Sequence, residues 1–180
     1  MVGHLGVGWT VLASTLDVLK AFLFVLAARH LGGLHQGWLA LIGVTIVVGH
    51  SFPFYLGQMA GRGLAASAGV FLVLLPVEMT IAGVLIVAGG ALRVTGPATT
   101  VAMASVPIAA AIQSQPGALV TMAAAVFALL MIRRLEGLGD VTAKGIPRGK
   151  AILFRCVFDS SGPPPGKGVW DHRRVDPPPS

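Results

Sequence analysis

A dense group of glycines and one cation separates two apolar stretches at residues 49–63, which read GHSFPFYLGQMAGRG. Gly57, Gly61 and Gly63 let the backbone approach a ligand closely, and the apolar run that follows predicts a helix. Backbone N–H groups at a helix N-terminus bind phosphate well after a glycine-rich approach, and Arg62 adds charge and bidentate donors. These residues therefore allow an anion site. A tight turn with Arg62 extending to lipid headgroups stays open as the alternative.

Three further ionisable side chains lie within apolar segments. Asp17 and Lys20 are three residues apart, hence on one helix face, and ionisable groups at membrane depth indicate either function or a pair that locks two helices. Both interpretations stay open. Glu78 follows Pro76 in the first turn of a predicted helix, where the helix dipole stabilises an acid. We expect Glu78 on the outer side, away from the other polar groups.

Arg133 and Arg134 end the last predicted helix. Their position favours interfacial anchors that match the helix dipole, and the alternative is contact with a phosphorylated ligand at the cytoplasmic edge. His50, taken alone, is more often an interfacial histidine than a general base. The five histidines are scattered without ligand spacing, so the sequence implies no metal, and it indicates no cofactor.

The composition is that of an integral membrane protein. The chain has 180 residues, of which 54% are hydrophobic and only 11% charged, whereas soluble domains carry about 25% charged residues. Six charged side chains fall in residues 1–132 and fourteen in residues 133–180. Positive-inside topology explains the net charge of +6 without nucleic-acid binding, because no basic and aromatic residues interleave on a soluble face.

The apolar runs predict an all-α polytopic bundle. Because Pro76 interrupts the longest run, that run is split into two helices. Six crossings with a cytoplasmic C-terminus place Arg62, Arg93, Arg133 and Arg134 inside and leave Arg29 outside. The predicted helices are residues 8–28, 37–52, 64–75, 77–92, 99–112 and 117–132.

The C-terminal part is more polar and predicts a separate unit. We expect a transmembrane domain at residues 1–137 and a largely disordered cytoplasmic tail at residues 138–180. Within the tail, AILFRCVF at residues 151–158 is a short apolar patch that could lie on the membrane surface.

The order of these features resembles the bacterial acyl-phosphate:glycerol-3-phosphate acyltransferase family, a seven-helix membrane bundle. Its second motif, GHxxPxFxxFKGGKG, matches at Gly49, His50, Pro53, Gly61 and Gly63. The segment LASTLDVLKAF is similar to the family's D-x-x-K-G helix, ALRVTGPAT to its R-x-x-S-x-G-S segment, and IRRLEG to its closing R-L-x-x-G.

The chain departs from the family at several positions. The family's first motif, GSGNxGxTN, should end just before Met1, so we expect a further N-terminal helix upstream that would bring the six helices to seven. The two lysines of the second motif are Met59 and Arg62 here. The His and Asn of the closing motif align with Ala128 and Met131.

The resemblance implies transfer of a fatty acyl group from acyl phosphate to the 1-position of glycerol 3-phosphate, giving lysophosphatidic acid, in the bacterial inner membrane. The implied catalytic residues are Arg62, Arg134 and His50. Gly61 and Gly63 would join Arg62 in holding phosphate. The alternative is an inactive paralogue that binds phospholipid or glycerol phosphate, or an assembly subunit; the oligomeric state stays open. Structural support is assigned to Asp17, Lys20, Gly49 and Pro53.

Overall fold

The described part of the chain forms a bundle of six main helices. The computed structural model describes residues 2–52, 63–136, 138 and 147–158, and each secondary-structure element in these ranges is helical, which confirms the all-α prediction. The six helices are followed by a short one that continues into a π-helical turn, Phe154–Phe158. The helices are α1 (Val2–His30), α2 (Gln36–Ser51), α3 (Leu64–Leu74), α4 (Pro76–Ala91), α5 (Thr95–Ile112), α6 (Gly117–Leu135) and α7 (Arg148–Leu153).

Helix length and surface composition both fit a membrane bundle. Three segments are long and apolar enough to cross a bilayer, namely Val11–His30, Thr95–Ile112 and Gly117–Leu135, and α2, α3 and α4 are shorter apolar helices. Trp9 and Phe24 of α1 are about two-thirds exposed, with values of 66% and 65%. Large exposed apolar side chains are expected where a helix faces lipid rather than water.

Small residues allow the helices to approach closely. A Cβ placed on Gly43 of α2 would lie 2.8 Å from Cγ1 of Val70 in α3 and 2.9 Å from Sδ of Met122 in α6. A Cβ on Gly69 of α3 would collide with the backbone of α1. In lipid, where helix association depends on close packing, glycines at these contacts set the helix spacing.

The predicted break at Pro76 is confirmed, since α3 ends at Leu74 and α4 begins at Pro76. Proline lacks an N–H group and interrupts the hydrogen bonds that would join the two helices. Arg29 Nη1 donates a 2.7 Å hydrogen bond to the carbonyl oxygen of Val73, in the last turn of α3. The charge pattern placed Arg29 alone on the outer side. This contact gives it a partner at the end of α3.

The expectation for Glu78 is wrong in one respect. Glu78 does lie in the first turn of α4, but it is fully buried, and its Oε1 accepts a 3.0 Å hydrogen bond from Nε2 of Gln115. Its Oε2 has no hydrogen-bond partner. Glu78 was predicted to lie away from other polar groups. The prediction was wrong because the fold brings the turn between α5 and α6, which contains Gln115, over the start of α4.

Replacing Gln115 by Leu should therefore destabilise the bundle. The substitution leaves both carboxyl oxygens of Glu78 buried without a donor, which costs about 1–3 kcal/mol. Unfolding of the detergent-solubilised protein by a titration with sodium dodecyl sulfate would measure this loss. Gln113→Leu is the matched control, because Gln113 is exposed in the same turn. Equal destabilisation by both variants would show that the hydrogen bond to Glu78 contributes nothing.

Helix boundaries differ from the prediction at two places that bear on the site. α5 begins at Thr95, four residues before the predicted start, and its first turn includes Gly96 and Pro97. Residues 148–158 are helical, and the turn Phe154–Phe158 contacts α5 and α6. The sequence suggested that residues 151–158 could lie on the membrane surface. The Pro-rich end of the predicted tail lies outside the described residues.

Candidate functional site

The start of α3 lies between the C-terminal ends of α2 and α6. Gly63, the residue that precedes α3, has a φ of 79°, in the left-handed region that favours glycine. A Cβ on Gly63 would lie 3.4 Å from both Val47 Cγ1 and Leu130 Cδ2, and would collide with Oγ of Ser51. Gly63 provides no side-chain cap for the first N–H groups of α3. The first N–H groups of α3 are thus left without a side-chain cap and could donate hydrogen bonds to an anion.

Asp17 and His50 connect α1 to α2 at the level of this helix start. Nδ1 of His50 lies 3.7 Å from Oδ1 of Asp17, and Nζ of Lys20 lies 3.4 Å from the same oxygen. The His50 side chain is 12% exposed, against 33% for Asp17 and 54% for Lys20. The spacing of Asp17 and Lys20 predicted their shared helix face, and the structure adds His50 as the partner on the neighbouring helix.

Arg133 lies in α6, about one turn after Leu130, the residue of that helix that lies near Gly63. Its guanidinium carbon is 4.8 Å from the ring centroid of Phe52, the residue that follows α2. Nη1 also donates to both carboxylate oxygens of Glu136. Arg133 is buried, with an exposed fraction of 5%, so it is fixed by protein contacts and not extended towards lipid headgroups as an interfacial anchor would be.

Arg134 points to α5 and to the C-terminal segment, which consists of α7 and the turn Phe154–Phe158. Its Nη1 donates to Oγ1 of Thr100 and, over 2.8 Å, to the carbonyl oxygen of Cys156. The residue is 9% exposed. The anchor interpretation of Arg134 is therefore wrong as well. No sequence pattern indicated this contact, because Thr100, Arg134 and Cys156 are 22 to 56 positions apart along the chain.

The other predicted site residues divide into two groups. Gly49 lies at the C-terminal end of α2, and a Cβ there would meet no atom within 4 Å, so packing does not require a glycine at this position. Pro53, Gly61 and Arg62 lie outside the described residues, and their roles stay predictions. Met131 is half-buried in α6, where the resemblance placed an asparagine.

Sequence reasoning missed two polar groups in this region. Ser51 is fully buried beside Gly63, and its hydroxyl oxygen has no hydrogen-bond partner. Thr100 links α5 to α6 and to the C-terminal segment. Serine and threonine are common in membrane helices, where most bond to their own helix, so neither had a distinguishing signal.

The arrangement can bind a phosphorylated molecule. Backbone donors at the start of α3 and two arginines at the end of α6 lie at the same end of the bundle, beside the mostly buried imidazole of His50. No group of three His, Cys, Asp or Glu residues in the described part of the chain could hold a metal ion. The described groups thus fit recognition of charge and orientation of a substrate.

Comparison with known proteins identifies the family. A family model described as glycerol-3-phosphate acyltransferase matches residues 1–142. The glycerol-3-phosphate acyltransferase 1 of Deinococcus radiodurans is 47% identical over 73 residues, which cover 41% of this chain and 36% of that protein. The glycerol-3-phosphate acyltransferase of Geotalea daltonii is 30% identical over 123 residues, 68% of this chain and 63% of the relative. The chain thus spans less than two-thirds of the length of these relatives.

Solved structures show the same bundle. The crystal structure of PlsY (YgiH), an integral membrane glycerol 3-phosphate acyltransferase, in its glycerol 3-phosphate form superposes with a TM-score of 0.70 at 25% identity. The similarity covers 85% of this chain and 78% of that one. The lysophosphatidic acid form of PlsY superposes with a TM-score of 0.69. With a family match over residues 1–142 and this helical fold, the chain belongs to the glycerol-3-phosphate acyltransferase family of integral membrane proteins.

Proposed function

We propose that this protein transfers a fatty acyl group from acyl phosphate to the 1-hydroxyl of glycerol 3-phosphate and so produces lysophosphatidic acid for phospholipid synthesis. The observation that carries the proposal is the convergence of the α3 start with His50 and the arginines of α6 at one end of the bundle. The relatives and the solved structure compared above are named as glycerol-3-phosphate acyltransferases, which supports acyl transfer to glycerol 3-phosphate.

The reaction needs positioning and charge more than covalent chemistry. Phosphate is a good leaving group, so the acyl donor arrives activated, and the site must hold two phosphorylated substrates with the hydroxyl aligned. Gly61, Gly63 and Arg62 would hold phosphate through backbone N–H groups and a guanidinium. Arg134 would assist at the edge of the site, and His50 with Pro53 would shape the loop.

Asp17 supports this site from α1 in the proposed arrangement. Its contact with His50 holds α1 against the C-terminal end of α2, and Lys20 balances its charge from the same face of α1. The domain division at residue 137, the inner-membrane location and the cytoplasmic C-terminus belong to the same proposal. They put the phosphate-holding end of the bundle on the cytoplasmic side, in agreement with the excess of arginines there.

Acyl transfer by membranes that lack other acyltransferases tests the proposal. The substrates are acyl phosphate and labelled glycerol 3-phosphate, and the product is labelled lysophosphatidic acid. Arg62→Ala should lower the rate by about ten- to a hundredfold, because charge-assisted hydrogen bonds contribute about 1.5–3 kcal/mol. Arg174→Ala is the charge-matched control from the C-terminal end of the chain and should retain activity.

One feature supports a second function. The His and Asn that the resemblance expects in the closing motif are Ala128 and Met131 here, and neither side chain can donate a hydrogen bond or transfer a proton. A protein with these residues could bind glycerol phosphate or phospholipid without turnover. Binding of labelled glycerol 3-phosphate by correctly inserted protein that forms no product would favour this function and reject the acyltransferase proposal.

A further inference from the structure

A closed hydrogen-bonded cluster joins α5, α6 and the C-terminal segment, which consists of α7 and the π-helical turn. Arg134 Nη1 donates to Thr100 Oγ1 and to the Cys156 carbonyl. Thr100 Oγ1 lies 2.9 Å from that same carbonyl oxygen, 3.3 Å from the carbonyl of Val157 and 3.1 Å from that of Gly96 in its own helix. One hydroxyl therefore lies between the guanidinium and the segment.

The chemistry of the hydroxyl fixes the direction of these bonds. A threonine hydroxyl has one donor and two acceptor sites, whereas a guanidinium only donates. Thr100 must accept from Arg134, so its single proton is left for a carbonyl oxygen, and Cys156 has the nearest one. A hydroxyl polarised by a cation donates more strongly, so the contacts with Arg134 and Cys156 reinforce each other.

A second contact holds the segment in place. Nη2 of Arg155 donates to the backbone carbonyl of Glu136, directly after the end of α6. The segment therefore contacts Arg134 through the backbone carbonyl of Cys156, and the carbonyl of Glu136 through the side chain of Arg155. Arg155 and Cys156 lie beyond residue 142, where the match to the family model ends. The cluster consequently depends on a part of this chain that the family comparison does not describe.

We propose that Thr100 is a positioning residue for the acyl transfer, which orients the guanidinium of Arg134 together with the Cys156 carbonyl of the C-terminal segment. The inference rests on the proposed function, in which Arg134 assists phosphate binding. A planar guanidinium held by the Thr100 hydroxyl and the Cys156 carbonyl keeps one orientation, and a fixed guanidinium plane favours bidentate recognition of a phosphate. Loss of the hydroxyl removes one of the contacts that orient the guanidinium and so weakens binding of the phosphorylated substrate.

The test separates binding from turnover in the full-length protein. Thr100→Val should raise the KM for glycerol 3-phosphate about tenfold, corresponding to one hydrogen bond to a charged group, and should change kcat by less than about twofold. Thr100→Ser keeps the hydroxyl and should restore the wild-type KM. Thr121→Val is the matched control, because Thr121 Oγ1 bonds only to Gly117 and Ala118 carbonyls of its own helix. A purely structural role of Thr100 would lower stability without this selective effect on KM.

Arg155→Ala addresses the same cluster without touching α5. It removes the contact with Glu136 and should also raise the KM, which keeps the inference testable where Thr100→Val fails to fold. Unchanged KM in both folded variants, with a raised KM in Arg134→Ala, would overturn the inference and leave the proposed function intact. Unchanged KM in Arg134→Ala would overturn the inference as well.

The readout for a chain without turnover is direct binding. If the folded wild-type protein transfers no acyl group, the proposed function fails, and the Kd for labelled glycerol 3-phosphate replaces the KM. Tenfold weaker binding by Thr100→Val, with rescue by Thr100→Ser, would then support the positioning role. Equal binding by both variants, or no binding by the wild type, would overturn it.

Discussion

Gly69→Ala should destabilise the bundle by about 3 kcal/mol or more, because overpacking a tight contact commonly costs 1–3 kcal/mol and the neighbours here cannot move aside. A Cβ on Gly69 would collide with the carbonyl oxygen of Val18 and lie 2.8 Å from Cβ of Ala21 and 2.9 Å from the backbone nitrogen of Phe22. Two of these three atoms belong to the backbone of α1. The helices must therefore separate, since no side-chain rotation can relieve the contact.

Resistance to unfolding by sodium dodecyl sulfate in mixed micelles would measure this effect. Gly83→Ala provides the matched control, because Gly83 is also in a helix and a Cβ there meets no atom within 4 Å. Alanine is the better helix former, so this control should be neutral or slightly stabilising. Similar unfolding of the two variants would refute the close approach of α1 and α3.

Elements of the fold that depend on local chemistry were predictable from the sequence. Pro76 cannot donate a backbone hydrogen bond, and the break between α3 and α4 falls at that residue. Gly63 was expected immediately before a helix, and it has the left-handed φ that glycine adopts at low cost. The three-residue spacing of Asp17 and Lys20 likewise requires a shared face in any α-helix.

Contacts between distant parts of the chain were not predictable. Glu78 and Gln115 are 37 residues apart, and Thr100 and Cys156 are 56 apart, so neither pair has a periodicity that a single sequence reveals. Periodicity indicates which residues share a face but not which helix covers that face. For this reason the arginines at the end of α6 looked like interfacial anchors, although the C-terminal segment and Phe52 bury them.

The two arginines at the end of α6 consequently have different surroundings, although they are adjacent in sequence. Arg133 contacts a carboxylate and an aromatic ring beside the end of α2, whereas Arg134 contacts a hydroxyl and a carbonyl beside α5. Successive residues of a helix point about 100° apart, so one helix end supplies cations to two neighbouring surfaces. Arg134 is the arginine followed by leucine, as in the R-L pair of the family's closing motif, and the proposed phosphate contact is assigned to it for that reason.

Gly63→Ala should reduce both stability and acyl transfer. A non-glycine residue at a φ of 79° costs about 1–2 kcal/mol, and the collision of its Cβ with Oγ of Ser51 adds about 1–3 kcal/mol of overpacking. A shift of the α3 start by about 1 Å would misplace the phosphate-binding donors and lower kcat/KM by about a hundredfold. Detergent unfolding and the labelled-product assay would measure the two effects separately.

A second substitution separates steric collision from backbone strain. Ser51→Ala removes the buried oxygen that a new Cβ would meet, and it should be nearly neutral alone because that oxygen has no hydrogen-bond partner. The double variant Ser51→Ala/Gly63→Ala should be more stable than Gly63→Ala, because the overpacking is removed. It should stay less stable than the wild type, because the cost of the positive φ remains. Recovered stability with persistently low activity would show that glycine is needed for the position of the α3 start. Full activity of Gly63→Ala would instead show that the start of α3 is not part of the phosphate site, because displaced N–H groups could not bind phosphate as before.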